Sequence, residues 1–199
     1  MIVPSTFAAT RRDGLTRLAE FLPHAGSAYA SGRNMDQGPD HPGAVSRLSP
    51  YVRHRLVTER DIVAGVMARH HSDAAEKFLQ EVFWRTYWKG WLEMRPAVWS
   101  RFVEERDRQR DTFADTAALA AAESGTTGID GFDAWARELA ETGYLHNHAR
   151  MWLASYVVHW RRVRWQAGAR WFLQHLLDGD PASNNLSWQW VASSFSSKP

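Results

Sequence analysis

Carboxylate, amide and indole side chains crowd into one short stretch of this sequence, DGDPASNNLSWQW, which begins at Asp178. Upstream, Asn147, Arg150 and Met151 share one face of a predicted helix through their i, i+3 and i, i+4 spacing. An arginine inside an otherwise apolar helix must pair with a carboxylate or bind an anion. We therefore expect Arg150 to find its partner in Asp178 or Asp180.

A second polar side chain lies among aromatic residues. Glu81 shares one face of a predicted helix with Trp84 and Trp88, in the stretch FLQEVFWRTYW. A carboxylate is therefore placed beside indole rings, which offer stacking surfaces and electron relays. Spacing alone also fits a plainer alternative, in which both polar sets form ordinary buried ion pairs.

Other kinds of chemistry are absent from the sequence. The histidine pairs His70–His71 and His146–His148 lack the i, i+4 spacing of helical metal ligands, so we predict surface or packing roles and no metal site. No GxSxG, GxxxxGK[ST] or GxGxxG motif occurs, which argues against nucleophile-elbow hydrolases, P-loop enzymes and Rossmann dinucleotide sites. The absence of cysteine excludes disulfides, thiolate catalysis, iron–sulfur ligation and cysteine zinc sites.

Charge and composition narrow the partners. The 24 Lys and Arg residues against 22 Asp and Glu leave a net charge of +2, so bulk charge does not indicate a nucleic-acid binder. Lysine occurs only at Lys77, Lys89 and Lys198, and the arginines favour bidentate contact with carboxylates and phosphates. Eleven Trp residues exceed what most domains of this size carry. Without an apolar leader or a run of about 18 apolar residues, we predict a cytoplasmic protein with no membrane partner.

Apolar spacing predicts helices along most of the first half of the chain. DGLTRLAEFL, residues 13–22, has the spacing of an amphipathic helix, whereas the Gly- and Pro-rich residues 23–50 predict a long loop or linker. Thr58 followed by Asp61 predicts a capping box at the start of the next helix. AAEKFLQEVFWRTYWKGWLEMR, residues 74–95, predicts a long, well-buried helix.

The second half of the chain is predicted to be helical as well. Residues 101–124 are charged and then Ala-rich, which predicts a solvated helix with a weak apolar face. Further helical patterns follow around Phe132–Leu139, in YLHNHARMWLASYVVHWRRVRW and in AGARWFLQHLL. No segment alternates with period two, so we expect no sheet. The predicted fold is all-α, one domain over residues 1–199 with roughly six to eight helices.

Four segments carry a resemblance to a known family. VSRLSPYVRHRLVTERD, FLQEVFWRTYW, GYLHNHARMWLASY and WQAGARWFLQHLLDGDPASNNLSWQW resemble the helical FAD-binding domain of the DNA photolyase and cryptochrome family. The resemblance covers about residues 29–190 and needs no gap from Gly143 to Trp190. It implies a compact multi-helix domain that binds FAD. No stretch resembles the family's N-terminal α/β domain, so we expect neither that domain nor an antenna chromophore.

The resemblance also assigns roles at the cofactor. It implies that a loop corresponding to residues 45–49 holds the FAD phosphates, that Arg150 and Asp178 pair beside the isoalloxazine, and that Asn184 faces flavin N5. An amide can accept a hydrogen bond from N5–H or donate one to unprotonated N5. The full implied set is Tyr29, Val45, Ser46, Arg47, Leu48, Ser49, Phe78, Glu81, Tyr144, Asn147, Arg150, Phe172, Asp178, Asp180, Asn184 and Ser187.

A substrate face and an electron path are implied in the same way. The residues that match the family's pocket for a flipped pyrimidine dimer, and hence imply DNA as substrate, are Glu81, Trp84, Asn147, Met151 and Trp190. Trp188 and Trp165 match the inner two members of the family's tryptophan chain. The third position falls near Thr112 and Phe113, where no tryptophan stands, and Trp135, Trp160 or Trp171 are candidate substitutes.

Three functions fit these residues. The first is a photolyase, in which light drives an electron from reduced flavin to a pyrimidine dimer in DNA and the protein supplies position and electrostatics. The second is a cryptochrome-like flavin photosensor or redox protein without repair activity. The third is a flavin-free structural remnant. Neither lesion type nor oligomeric state can be derived from the sequence.

Overall fold

The structure, a computed structural model, describes residues 7–41, 43–108 and 116–194. It divides into two compact units, Met1–Thr86 and Tyr87–Pro199. The described residues contain eleven α-helices and no strand, which agrees with the predicted all-α class. Within the part of the chain that the structure describes, no helix has the length and apolar character that a bilayer span requires.

The first unit holds four short helices and the start of a long one. They are α1 (Arg11–Phe21), α2 (Ser27–Gly32), α3 (Ser49–Arg53), α4 (Glu59–Met67) and α5 (Ser72–Glu93), whose last turns belong to the second unit. The predicted capping box is present at α4: Thr58 accepts from the backbone N–H of Asp61, and Asp61 accepts from that of Thr58. The expected loop at residues 23–50 contains α2, a short helix that the glycine and proline content concealed.

Aromatic rings form the core of the first unit. Phe21, Tyr29 and Phe78 meet with ring centroids 4.8–6.1 Å apart. Around them, Leu18, Tyr51, Val57, Ile62 and Val66 are all nearly inaccessible to solvent. Apart from Val57, which lies in the loop before α4, these side chains come from α1 to α5, and their mutual packing fixes how the helices approach each other.

The second unit contains six further helices after the end of α5. They are α6 (Pro96–Arg108), α7 (Thr116–Ser124), α8 (Asp130–Thr142), α9 (Asn147–Ser155), α10 (Trp165–His175) and α11 (Pro181–Val191), with a π-helical segment, Tyr156–Trp160, after α9. Pro96 begins α6, where its missing N–H costs nothing. Gly143 ends α8 with φ 67°, a conformation that glycine adopts without strain.

Two expectations about burial are wrong. α5 is not well buried: Ala75 and Phe78 are its only buried residues, while Phe83 and Tyr87 are about half exposed. Its aromatic residues lie on several faces, and one packing surface cannot cover them all. Residues 101–124 are not merely solvated, since Phe102 and Leu119 lie in the hydrophobic core of the second unit.

The close histidine pairs take packing roles in part. His146 is buried, and its Nδ1 accepts a hydrogen bond from the backbone N–H of His148 at the start of α9. His70 contacts the Leu22 carbonyl oxygen through Nε2 at 2.6 Å. His71 is exposed. These positions agree with the predicted surface and packing roles.

Candidate functional site

A paired arginine and aspartate form the centre of the polar cluster in the second unit. Arg150 donates from both terminal nitrogens to Asp178, at 3.0 and 2.9 Å, in a bidentate pair. Its Nε donates to the Leu145 carbonyl at 2.8 Å. The Asp178 side chain is only 5% exposed and that of Arg150 22%. Of the two carboxylates proposed as partners for Arg150, Asp178 takes that role.

The surroundings of Arg150 keep it charged. Burial opposes the charge, but the attraction of Asp178 and its hydrogen bonds outweigh burial and hold the pKa of Arg150 above its ordinary value. The guanidinium also lies over the ring of Tyr144, 5.6 Å from the centroid. The cluster thus combines a fixed cation, a fixed anion and an aromatic face.

Asp180 caps helix α11 and also lies near a second cation. Its Oδ1 accepts from the backbone N–H groups of Ala182 and Ser183, which caps α11. Its Oδ2 lies 3.5 Å from Nζ of Lys89, although the carboxylate is only 4% exposed. Sequence reasoning missed Lys89. The only feature of the sequence that singled out Lys89 is that it is one of three lysines in an arginine-rich chain.

Two adjacent asparagines on α11 behave differently. Asn184 is buried and donates from Nδ2 to the Ala169 carbonyl at 2.9 Å. Because a carbonyl can only accept, this bond fixes the amide orientation and leaves Oδ1 as an acceptor. Asn185 is 0% exposed, and neither amide atom has a hydrogen-bond partner among the described residues. Burying such an amide unpaired costs about 1–3 kcal/mol, so a polar partner for Asn185 is expected elsewhere.

The predicted lesion-facing residues of the second unit are accessible. Asn147 is exposed and donates from Nδ2 to Sδ of Met151 at 4.0 Å, as their i, i+4 spacing predicts. Trp190 is 61% exposed. Of two residues predicted to contact the cofactor, Ser187 on α11 is also exposed, whereas Phe172 is buried in the hydrophobic core. The accessible indole and amide can meet a ligand from solvent.

In the first unit, Glu81 and Tyr29 belong to one polar group. Glu81 accepts from Arg33, with 2.5 Å between the oxygen and nitrogen. Burial, followed by the negative charge of Glu81, raises the pKa of Tyr29, while Arg33 opposes the rise. Tyr29 is buried against Phe78, and Trp84 is 48% exposed. Arg33 is a second residue that sequence reasoning missed, since the resemblance assigned it no role.

The loop at residues 45–49, predicted to hold phosphates, is stabilised by hydrogen bonds from its own Arg47. Arg47 donates to the carbonyls of Gly38, Pro39 and His41 at 2.7–3.0 Å and has φ 49°. Ser46 Oγ accepts from the backbone N–H of Leu48, which is buried. Val45 and Ser49 are half-buried. Arg47 therefore organises the loop, and the serine hydroxyls remain its small polar groups.

The two predicted electron-transfer tryptophans pack in the second unit. Trp188 is 2% exposed and meets Phe172 edge to face, with centroids 5.0 Å apart. Trp165 is partly buried at the start of α10 and packs against the same hydrophobic core. The family's third position, near Thr112 and Phe113, lies outside the described residues.

Comparison with known proteins relates these residues to a family. The model for the FAD-binding domain of DNA photolyase matches residues 78–199. The deoxyribodipyrimidine photo-lyase of Streptomyces griseus is 40% identical over 75% of this chain and 32% of its own length. The corresponding values for the Alkalihalophilus pseudofirmus photo-lyase are 34%, 90% and 37%. The chain thus spans about a third of these relatives.

Solved structures show the same fold. A bacterial class III photolyase from Agrobacterium tumefaciens superimposes with a TM-score of 0.79 at 28% identity, covering 94% of this chain and 39% of that one. A Synechocystis cryptochrome gives 0.78 at 26% identity, with coverages of 94% and 40%. The chain belongs to the photolyase and cryptochrome family, as an FAD-binding domain of the DNA photolyase type.

Proposed function

We propose that this chain supports light-driven electron transfer from reduced FAD to a pyrimidine dimer in DNA. One observation carries the proposal. The second unit holds a bidentate Arg150–Asp178 pair together with a buried Asn184, whose amide is oriented by a hydrogen bond to the Ala169 carbonyl and presents Oδ1 as an acceptor. Such a set suits a planar heterocycle that changes protonation when it changes oxidation state.

The residues present fit FAD. Arg150 is a fixed cation, Asp180 is a buried anion near Lys89, and Asn184 Oδ1 can accept a hydrogen bond from a proton-bearing nitrogen. Asn185 adds a buried amide with no partner among the described residues, as expected where a polar ligand completes the group. In the first unit, Ser46 and Ser49 provide hydroxyls for the phosphates.

When bound, FAD supplies the light absorption and the electron chemistry. The chain supplies position and charge. Asn184 Oδ1 would accept a hydrogen bond from N5–H of the reduced flavin, and the bond from Asn184 to the Ala169 carbonyl keeps that acceptor in place. Arg150 would supply the positive charge that favours an anionic reduced flavin over one that takes up a further proton.

DNA recognition is proposed for the accessible aromatic and amide side chains. A base taken out of the duplex needs aromatic faces to stack on and polar groups for its edge. Trp190 and Asn147 of the second unit provide these groups and are exposed. Trp84 and Glu81 of the first unit offer the same two kinds of group and are also exposed. Met151 adds an apolar contact beside Asn147.

The deciding experiment uses the FAD-loaded protein with the flavin chemically reduced. Under blue light, we expect it to restore an oligonucleotide that contains one cyclobutane dimer, and to bind that oligonucleotide more tightly than an undamaged one. Trp190→Ala should weaken this discrimination, because stacking on an aromatic face contributes about 1–3 kcal/mol per base. Unrepaired dimer together with equal binding of both oligonucleotides would refute the proposal.

A flavin photosensor is the second candidate. The similarity to a Synechocystis cryptochrome and the burial of Trp188 favour it. A sensor predicts light-driven reduction of the flavin without preference for damaged DNA, and Trp188→Phe would then remove the light response. A single FAD-binding domain, the absence of an antenna chromophore and a cytoplasmic location remain predictions.

A further inference from the structure

We infer that Trp99 is the outer member of an aromatic electron-transfer path that runs from Trp188 through Trp165 and across Phe102. The inference rests on the proposed light-driven function, because it concerns how the flavin is brought to its reduced state. It concerns a position for which the family pattern offers no tryptophan in this chain.

Ring contacts define the outer half of this path. The rings of Trp165 and Phe102 are stacked, with centroids 5.5 Å apart and planes 21° apart. The ring of Phe102 also meets that of Trp99, with centroids 5.3 Å apart. Trp99 and Phe102 are three residues apart on α6, so the helix holds both rings on one face. Helix α6 packs against α10, which carries Trp165.

The inner half of the path runs along α10. A Cβ built on Gly168 would lie 2.2 Å from Cη2 of Trp188, so the Trp188 ring rests directly on the helix backbone. Gly168 is three residues after Trp165, so Trp165 and the backbone that the Trp188 ring contacts belong to neighbouring turns of the same helix. The absence of a side chain at Gly168 is what allows this close approach.

The inner tryptophan of the path is buried, whereas the outer one is partly accessible. Trp188 and Phe102 are each 2% exposed, whereas Trp165 and Trp99 are only partly buried. An oxidised indole deep in the core can neither release its proton to water nor meet a soluble reductant. The outer partly buried ring can do both, which makes Trp99 a suitable end point.

The three tryptophans suggested by sequence are less suitable. Trp160 is 74% exposed, but it makes no ring contact among the described residues. Trp135 meets Phe132, which stacks on Tyr156 rather than on Trp165. Trp171 reaches Trp188 through Phe172, yet it is 1% exposed and has no outlet to solvent.

The electron balance of the path is complete. With FAD bound, the light-excited oxidised flavin would take one electron from Trp188, which would be restored by Trp165, which would be restored in turn by Trp99. Full reduction of the flavin would take two such cycles. Phe102 is harder to oxidise than indole and stays neutral, serving as the contact between the rings. The Trp99 radical cation loses its Nε1 proton to water, and a soluble thiol then returns one hydrogen atom and becomes a thiyl radical.

The test is photoreduction of the FAD-loaded protein, starting from oxidised flavin with a soluble thiol and without oxygen. We expect Trp99→Phe to slow the light-driven loss of flavin absorbance several-fold and to shorten the life of the tryptophan radical in transient absorption. Trp99→Tyr should restore part of the rate, because a phenol can be oxidised with loss of its proton. Both variants keep a ring in the core, so folding is preserved.

Matched variants separate this path from its rivals. Trp160→Phe should leave the photoreduction rate unchanged, and so should Trp171→Phe. If Trp99→Phe reduces as fast as the parent, or if Trp160→Phe or Trp171→Phe is the slow variant, the assignment of Trp99 is wrong. Repair by chemically reduced protein bypasses the path, so that assay decides the proposed function separately.

Discussion

At the scale of single residues, Arg150 depends on one carboxylate. Asp178→Asn should lower the free energy of unfolding by about 3 kcal/mol, because removing one member of a buried pair leaves the other charge uncompensated. The control is Asp107→Asn, which breaks the exposed Arg106–Asp107 pair and should change stability by under about 1 kcal/mol. Urea denaturation measures both variants. Equal losses in the free energy of unfolding would show that the Arg150–Asp178 pair stabilises the protein no more than an exposed ion pair does.

The partner of a side chain could be predicted where that side chain has a strong physical requirement and the sequence offers few residues that meet it. An arginine in an apolar helix needs a counter-charge, and the nearest carboxylates after an apolar segment are those of the DGD stretch. Lys89 shows the limit. Its distance of 3.5 Å from Asp180 depends on how α5 packs, which no local pattern encodes. The unpartnered amide of Asn185 likewise becomes evident only from burial.

At the scale of the helix, the capping box of α4 provides a pH-dependent prediction. Hydrogen bonds from Arg11, followed by those from Thr58, hold the pKa of Asp61 well below its usual range. Its stabilisation is therefore fully present above the unfolded value, about 3.9, and is lost as pH falls towards the folded value. The stability difference between parent and Asp61→Asn should be constant near neutral pH and shrink below about pH 4. Urea titrations at several pH values test this, and a difference independent of pH would contradict it.

Two helical glycines, Gly90 in α5 and Gly168 in α10, contrast the effect of helix propensity with that of side-chain packing. Alanine is favoured over glycine inside a helix by about 1 kcal/mol, so Gly90→Ala in α5, where nothing lies within 4 Å of the new Cβ, should stabilise the protein. Gly168→Ala should instead destabilise it by about 1–3 kcal/mol, because the Cβ would overlap the Trp188 ring. Thermal unfolding of the two variants gives the comparison. Stabilisation by Gly168→Ala would mean that Trp188 can move away.

Helix positions and helix burial differ in how far sequence can predict them. α4 was predicted from its cap, a local interaction complete within four residues. The burial of α5 was predicted wrongly, since a helix with aromatic residues on several faces does not reveal which face is covered. The burial of Phe102 in α6 was missed because adjacent charges weakened the apolar pattern, although tertiary packing placed the ring in the core.

At the scale of the whole molecule, a cofactor that binds the folded chain and not the unfolded chain should stabilise the fold. FAD at a hundred times its dissociation constant should raise the free energy of unfolding by about 2.7 kcal/mol. Asp180→Asn in the second unit and Ser46→Ala in the first should each weaken FAD binding and reduce the calorimetric shift at fixed FAD. Riboflavin, which lacks the diphosphate, should be insensitive to Ser46→Ala but remain sensitive to Asp180→Asn. If Ser46→Ala left the FAD shift unchanged, the phosphates would not be bound by residues 45–49.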